Sequence, residues 1–245
     1  LMRIHIEEYG IGDHLAVTAF VREFKRRWPE ELITIASRRH VFLWDHNPHL
    51  NHGKEEIIGS VVPKYKNAPA LGNMPRQMCM NFGFIPEDTH PEIFLTDHEK
   101  GFGLMVLQGM KPPIVCLDYH ATHPARRWPL ERFQEVVQEL RKVGISTVEI
   151  GGNPPKLKAD RALSQGLHVR QTAAILTYSN LYMGNDSGSF HLAASVGVPQ
   201  VVVFGPTKSR EYAYESTASF DDFLKVEPSL VVKKCLGILE TVHGG

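Results

Sequence analysis

Between Pro113 and Gly205 the chain alternates apolar runs with helical patterns, and this alternation restricts the fold more than any other feature. "PIVCLDY", "ISTVEIGG", "NLYMGN" and "PQVVVFG" read as strands. "RRWPLERFQEVVQELRKVG", "QTAAILTYS" and "SFHLAASVG" lie between them and read as helices. In the first of these, Phe133, Val136, Val137 and Leu140 follow the i, i+3, i+4, i+7 spacing of one helical face. Pro129 is expected in its first turn, and Gly144 marks its end. Strands joined through helices run parallel and need helices over both faces. A doubly wound α/β unit is therefore predicted for the second half of the chain.

The first half opens the same way. "MRIHIEEYG" alternates Met2, Ile4 and Ile6 as a strand does, and "GIGD" follows. Val17, Phe20, Val21, Phe24 and Trp28 then mark a helical face. Asp13 falls where an N-cap belongs, Pro29 ends the helix, and "ELITIAS" is the next strand. From Trp44 to Pro75 the pattern is less regular, with "EIIGSVV" readable as a strand and "MPRQMCMNFGF" as a short helix. Lys111-Pro112-Pro113 reads as a linker. The expected organisation is two Rossmann-like domains, residues 1–110 and 111–245, with a last helix marked by Val231, Cys235, Ile238, Leu239 and Val242. Ligands in such sheets bind beyond the carboxyl ends of the strands, so a cleft between the two domains is the expected site.

Composition excludes several classes. The 27 Lys and Arg balance 27 Asp and Glu, and no basic run occurs, so a nucleic-acid partner is not favoured. The three cysteines Cys79, Cys116 and Cys235 have no metal or disulfide spacing, and Cys116, inside an apolar run, reads as a small buried hydrophobe. The N-terminus reads as a strand rather than a secretion signal, and no apolar run approaches the roughly 20 residues that span a bilayer. A cytoplasmic location is expected.

Chemistry concentrates in the turns after the strands. "GNDSGSFHLAAS" puts Asp186-Ser187-Gly188 between a strand and a helix rich in small residues. Unpaired N–H groups at a helix start carry the positive end of the helix dipole and seat anions. Gly188 lets a ligand approach the backbone and Ser187 offers a hydroxyl, although Asp186 reads equally well as a helix cap. "FGPT" places Gly205, Pro206 and Thr207 in the corresponding turn one strand later, with Thr207 a candidate donor to a phosphate. "EIGGN" is a third glycine-rich strand end. Arg126 and Arg127 precede a helix start, where they either solvate the surface or reinforce an anion site, and His120 and His123 share that loop. "YGIGDHL" is not a dinucleotide fingerprint, because Leu15 holds the sixth place, and no Walker A loop is present. Asp13 in that turn is a candidate general base or a capping residue. His46, His49 and His52 have metal-like spacing, but Pro48 and the surrounding asparagines make that segment a loop.

Together these residues resemble glycosyltransferase family 9, the ADP-heptose:lipopolysaccharide heptosyltransferases. The resemblance rests on Gly12-Asp13, "NPHLN", Arg126 two before Trp128, Asp186-Ser187-Gly188, His191-Leu192-Ala193, Gly197, Pro199 and Phe204-Gly205-Pro206-Thr207. It implies a GT-B fold, two Rossmann-like doubly wound domains with a cleft between them, here with a shortened N-terminal, acceptor-side domain. It also implies an inverting, metal-independent transfer without a cofactor, from a nucleotide-diphosphate sugar such as ADP-heptose to an acceptor hydroxyl. Asp13 matches the catalytic base. Arg126 matches a position that is lysine in well-known members and neutralises donor phosphates. Ser187 and Gly188 match the phosphate-binding turn, and Asp186 and His191 the surrounding donor site; Thr207 completes the donor-binding set. The implied partners are the nucleotide-sugar donor and a glycan or glycolipid acceptor of the bacterial surface, with a peripheral position at the inner membrane face. Two rival readings remain: a nucleotide-sugar-binding module without efficient turnover, and another GT-B enzyme such as a sugar-nucleotide epimerase.

Overall fold

The computed structural model describes residues 2–5, 10–51, 59–61, 72–151, 154–163 and 166–243. By its internal contacts the chain divides into two units, one of residues 1–94 with 210–214 and the other of residues 95–209 with 215–245.

In the first unit, strands β1 (Met2–His5), β2 (Ile33–Ala36) and β3 (Gly59–Val61) form a parallel sheet in the order β2-β1-β3. Helix α1 (Ile11–Arg27) connects the first two strands. It buries Val17, Phe20, Val21 and Phe24, the predicted face, whereas Trp28 lies past its end and is partly exposed. Helix α2 (Met74–Asn81) packs against α1. Around them Phe20 and Phe24 meet Phe82 and Phe84 at ring-centroid distances of 5.3 to 6.4 Å. Residues 210–214 belong here because the Asn73 amide donates to the Ala213 carbonyl and Tyr214 stacks on His90. Ile6, most of "EIIGSVV" and His52 lie outside the described residues.

The second unit begins with α3 (Asp97–Leu107), a helix the sequence pattern does not announce. Thr96 caps it through the Glu99 amide, and the Glu99 carboxylate answers at the Thr96 amide, 2.8 Å away, in a reciprocal capping box. Gly103 brings α3 against α5 (Val169–Thr177), where a Cβ would lie 2.2 Å from the Ala174 carbonyl oxygen. The contact boundary therefore falls at 94/95 rather than at 110/111. Lys111–Pro113, expected as a linker, is instead the connection from α3 to β4 inside this unit.

Six parallel strands build its sheet: β4 (Ile114–Asp118), β5 (Ser146–Glu149), β6 (Arg161–Ala162), β7 (Leu181–Asn185), β8 (Gln200–Val203) and β9 (Thr217–Phe220). Their order is β6-β5-β4-β7-β8-β9. The chain starts in the middle, builds outward to one edge, then returns to build the other. The switch point lies between β4 and β7, which are paired with Asp118 opposite Gly184. Every residue of β4, β7 and β8 is buried, which explains why their sequences are largely apolar runs.

Helix α4 (Leu130–Lys142) follows Pro129, which is its N-cap rather than part of its first turn. It buries the four predicted residues against α8 (Pro228–His243) in the main core, with Leu117, Met183, Val201 and Leu239. Helix α6 (Gly188–Ser195) links β7 to β8, and α7 (Ser209–Tyr212) follows β8. Both α4 and α6 end in the same way. At Gly144 and Gly197 φ is +82° and +76°, and the amides of Ile145 and Val198 reach back to the carbonyls of Leu140 and Ala193. This left-handed stop suits glycine and accounts for both residues. No helix among the described residues is long and apolar enough to cross a membrane. Cys79, Cys116 and Cys235 are all buried and free, with burial pushing each thiol up to about 12.

Candidate functional site

Three connections leave the carboxyl edge of the second sheet close to its switch point. They are residues 119–129 after β4, Asp186–Ser187 after β7 and 204–208 after β8. Asp186 joins them. Its Oδ2 accepts the Thr207 hydroxyl at 2.7 Å and lies 3.2 Å from Nη1 of Arg126. The carboxylate is buried while the guanidinium is about one-third exposed. A buried carboxylate is costly unless it is paired and hydrogen-bonded, and this one is both. The one hydroxyl proton of Thr207 is thus committed to Asp186 rather than offered to a ligand. Asp186 is not the helix cap either.

That cap is Ser187, in extended conformation and making no side-chain hydrogen bond to the first turn of α6. Ser187 and Gly188 are half-buried at the helix start, beside the Asp186 carboxylate that holds Arg126. The result is a positively polarised helix end with a guanidinium next to it, an arrangement that suits a diphosphate. His191 is on α6 but buried, its ring 4.6 Å from that of Phe190. Arg127 donates to the Ala121 carbonyl at 2.7 Å and so braces its own loop. His123 is exposed, and His120 has its pKa lowered by burial and by the nearby Arg127 and Lys156.

Two polar residues that sequence reasoning passed over hold this constellation in place. Asn185, at the end of β7, accepts the Trp128 amide at 3.0 Å and donates to the Tyr119 carbonyl at 2.6 Å. Both ends of the Arg126 loop are therefore tied to the strand that carries Asp186. Asp118, at the end of β4, accepts the His120 amide at 2.8 Å and is hydrogen-bonded to Ser189 of α6. Burial raises its pKa to about 7, with the Glu149 charge adding to the effect against those two hydrogen bonds. The available signal for Asn185 was its place in "GNDSG"; for Asp118 it was an acid closing an apolar run. Gly205 has a packing role: a Cβ there would lie 2.9 Å from the Ala125 carbonyl oxygen. Of "EIGGN", Gly151 has φ +68° and packs against the Asp118 carboxyl, while Gly152 and Asn153 lie outside the described residues.

In the first unit, Asp13 is half-buried at the third residue of α1, not at the cap. Gly10 is the cap, and its amide donates to Asp13 Oδ2 at 2.9 Å. The geometry is that of the second half of a capping box, with no side chain on the glycine to return the bond. His49 lies 3.6 Å from Glu92, and His46 has left-handed backbone geometry. Among the described residues no three His, Cys, Asp or Glu side chains cluster as metal ligands.

Known proteins place this geometry. The structure is similar to that of E. coli ADP-heptose lipopolysaccharide heptosyltransferase II, with a TM-score of 0.75, 14% identity and 99% of each chain covered. It is similar to a family 9 glycosyltransferase of Veillonella parvula DSM 2008, with a TM-score of 0.83 and 14% identity, covering 98% of this chain and 97% of that one. E. coli heptosyltransferase WaaC with ADP gives 0.68 and 11%, covering 98% and 100%. The fold is accordingly α/β of the GT-B type. No curated protein matches the sequence. The family model for glycosyltransferase family 9 (heptosyltransferase) matches residues 75–219, more than half the chain and the whole of the Arg126–Asp186–Thr207 constellation. The chain is a glycosyltransferase and belongs to glycosyltransferase family 9, the heptosyltransferase family.

Proposed function

We propose that this protein is an inverting, metal-independent glycosyltransferase that moves a heptose-like sugar from a nucleotide diphosphate to an acceptor hydroxyl. The carrying observation is the Arg126 guanidinium held by Asp186 beside the start of α6. A nucleoside diphosphate gains negative charge as the glycosidic bond breaks. Cationic and N–H donors fixed where that charge develops lower the barrier. Asp186 uses one face of a guanidinium that carries five donors, so the pair orients Arg126 without exhausting it. The first-turn amides of α6, with Ser187 and Gly188, complete the seat, and His191 of the same helix belongs to the surrounding donor site. No cofactor beyond the donor is required by this scheme.

Asp13 is the proposed general base. It takes the proton of the acceptor hydroxyl as that oxygen attacks the anomeric carbon, while the bonding pair leaves with the diphosphate. Inversion needs the base on the side of that carbon away from the leaving group, so base and phosphate seat come from different parts of the chain. ADP-heptose is the proposed donor. WaaC, similar in fold, has been solved with ADP and with ADP-2-deoxy-2-fluoro heptose. The proposed acceptor is a bacterial surface glycan or lipopolysaccharide precursor, met by an enzyme in the cytoplasm at the inner membrane face.

Transfer and binding assays separate the parts. Arg126→Ala should weaken ADP binding by about tenfold to a hundredfold, the worth of a charge-assisted hydrogen bond. Unchanged affinity by calorimetry would remove the phosphate seat from this place. Asp13→Ala should abolish transfer while donor still binds; retained turnover would remove Asp13 as the base. Thermal shifts with ADP, UDP, GDP and their sugar conjugates identify the donor, because a ligand that binds the folded state raises its stability.

A further inference from the structure

Consecutive residues of α1 hold one glycine from both of its sides. The Gly10 amide donates to Asp13 Oδ2 at 2.9 Å. The Gly10 carbonyl lies 2.8 Å from Nδ1 of His14 and also accepts the His14 amide at 3.3 Å. The second ring nitrogen, Nε2, lies 2.8 Å from the Ser37 hydroxyl oxygen, which itself accepts the Arg39 amide at 3.2 Å. These contacts assign the protons. A carbonyl only accepts, so Nδ1 carries a hydrogen. In the neutral ring Nε2 is then an acceptor and the Ser37 hydroxyl donates to it.

The ring has little freedom. His14 is fully buried, stacked on Trp44 at 5.2 Å and met edge-on by His40 at 5.1 Å. The Trp44 indole N–H donates to the His14 carbonyl at 3.0 Å. Among the described residues, the charged and titratable groups facing it are Asp13 of α1 and, from the segment after β2, His40 and the backbone of Arg39. Burial lowers the His14 pKa below its ordinary 6.5, outweighing the Gly10 hydrogen bond and the Asp13 charge. A proton on Nε2 would also have to displace the Ser37 hydroxyl proton from a buried pair.

The N–H and the carbonyl of one residue belong to adjacent planar peptide units that meet at its α-carbon, so holding both restrains the turn at that residue. Here the same glycine presents its N–H to Asp13 and its carbonyl to His14. Glycine is the residue whose backbone most needs such restraint. We propose that His14 is a positioning residue for the Asp13 base, its Nδ1–H holding the carbonyl side of the Gly10 turn whose N–H faces Asp13. This rests on the reading of Asp13 as base, and it adds a neighbour that acts on turnover rather than on donor binding.

The test compares His14→Phe, which keeps a ring over Trp44 but has no donor, with His14→Asn, which returns an N–H near the position of Nδ1. Turnover is followed from about pH 5 to about pH 9, the range in which histidine titrates. His14→Phe should lower kcat about tenfold at the alkaline end with the donor KM within about twofold, since the ring's hydrogen bonds to Gly10 and Ser37 are lost and donor binding is untouched. His14→Asn should recover most of that loss. Imidazole nitrogen shifts of the unmodified protein supply a readout that needs neither a variant nor activity, and should show the neutral Nδ1–H form above neutrality. Wild-type turnover in His14→Phe, no recovery in His14→Asn, or an Nε2–H ring at alkaline pH each overturns the proposal. If Asp13→Ala still transfers sugar, the base reading fails instead; if Asp13 is essential and His14 is neutral to activity, only the positioning role falls.

Discussion

Arg126 and Asp186, sixty residues apart in sequence, form an ion pair of 3.2 Å whose acidic partner is buried and whose basic partner is about one-third exposed. That asymmetry makes the acid the anchor and leaves the base open to solvent. Thr207 adds a third strand end to the same carboxylate oxygen.

Asp186→Asn should therefore act on Arg126 more than on the fold. The amide oxygen can still accept from Thr207, so the loss of stability should stay within about 1–3 kcal/mol, the range for a hydrogen bond to a charged group. ADP affinity should fall as it does in Arg126→Ala, and the double variant should be no weaker than either single one. Additive losses by calorimetry would mean that the two residues act separately.

Asp118 makes stability depend on pH with a definite sign. Its pKa is raised to about 7 in the folded protein, against about 3.9 unfolded, so between these values the folded state holds the extra proton. Stability from this group is full below about pH 4 and is lost as pH rises towards about 7. Asp118→Asn, which mimics the protonated acid, should raise the melting temperature at pH 8 and leave it nearly unchanged at pH 4. Equal shifts at both pH values would show that the carboxyl does not titrate in this window.

Glu99 has the opposite sign. The Arg170 guanidinium, 2.5 and 2.8 Å from its two oxygens, holds its carboxyl down at about 2. The contribution is present above the ordinary carboxylate range and is lost as pH falls through about 2. Glu99→Gln should cost about 2 kcal/mol at neutral pH after allowance for its partial exposure, and the deficit should shrink on acidification. Urea titrations at pH 7 and pH 3 measure both.

Gly103→Ala tests the close approach of α3 to α5. The added carbon would lie 2.2 Å from the Ala174 carbonyl oxygen, which belongs to helix backbone and cannot turn aside. A loss of about 1–3 kcal/mol is expected despite the better helix propensity of alanine. A stabilised variant would show that the helices are free to separate.

Several elements were legible from the pattern of residues and others were not. Strands β4, β7 and β8 are buried on both faces, so they are written as largely apolar runs with a polar residue only at one end. Helix α3 escaped notice because Gly101 and Gly103 interrupt it and Leu104 and Met105 face outward, leaving little amphipathic signal. Strand β9, at the sheet edge, is only partly buried and partly polar. Asp13 was expected as a cap and is a third helical residue, because Gly10 can start the helix with only its backbone.

The sequence by itself determined the parallel second sheet and the turns at its carboxyl edge, since periodicity and glycine placement are local properties that burial and backbone geometry impose directly. It also carried the family resemblance in the residues of those turns. Only the tertiary structure decided that Arg126 and Thr207 converge on Asp186, that Asn185 ties down the Arg126 loop, and that burial raises the Asp118 pKa. Those facts depend on which strand ends the register brings together and on how much water is excluded there, and neither quantity is written in any short stretch of chain.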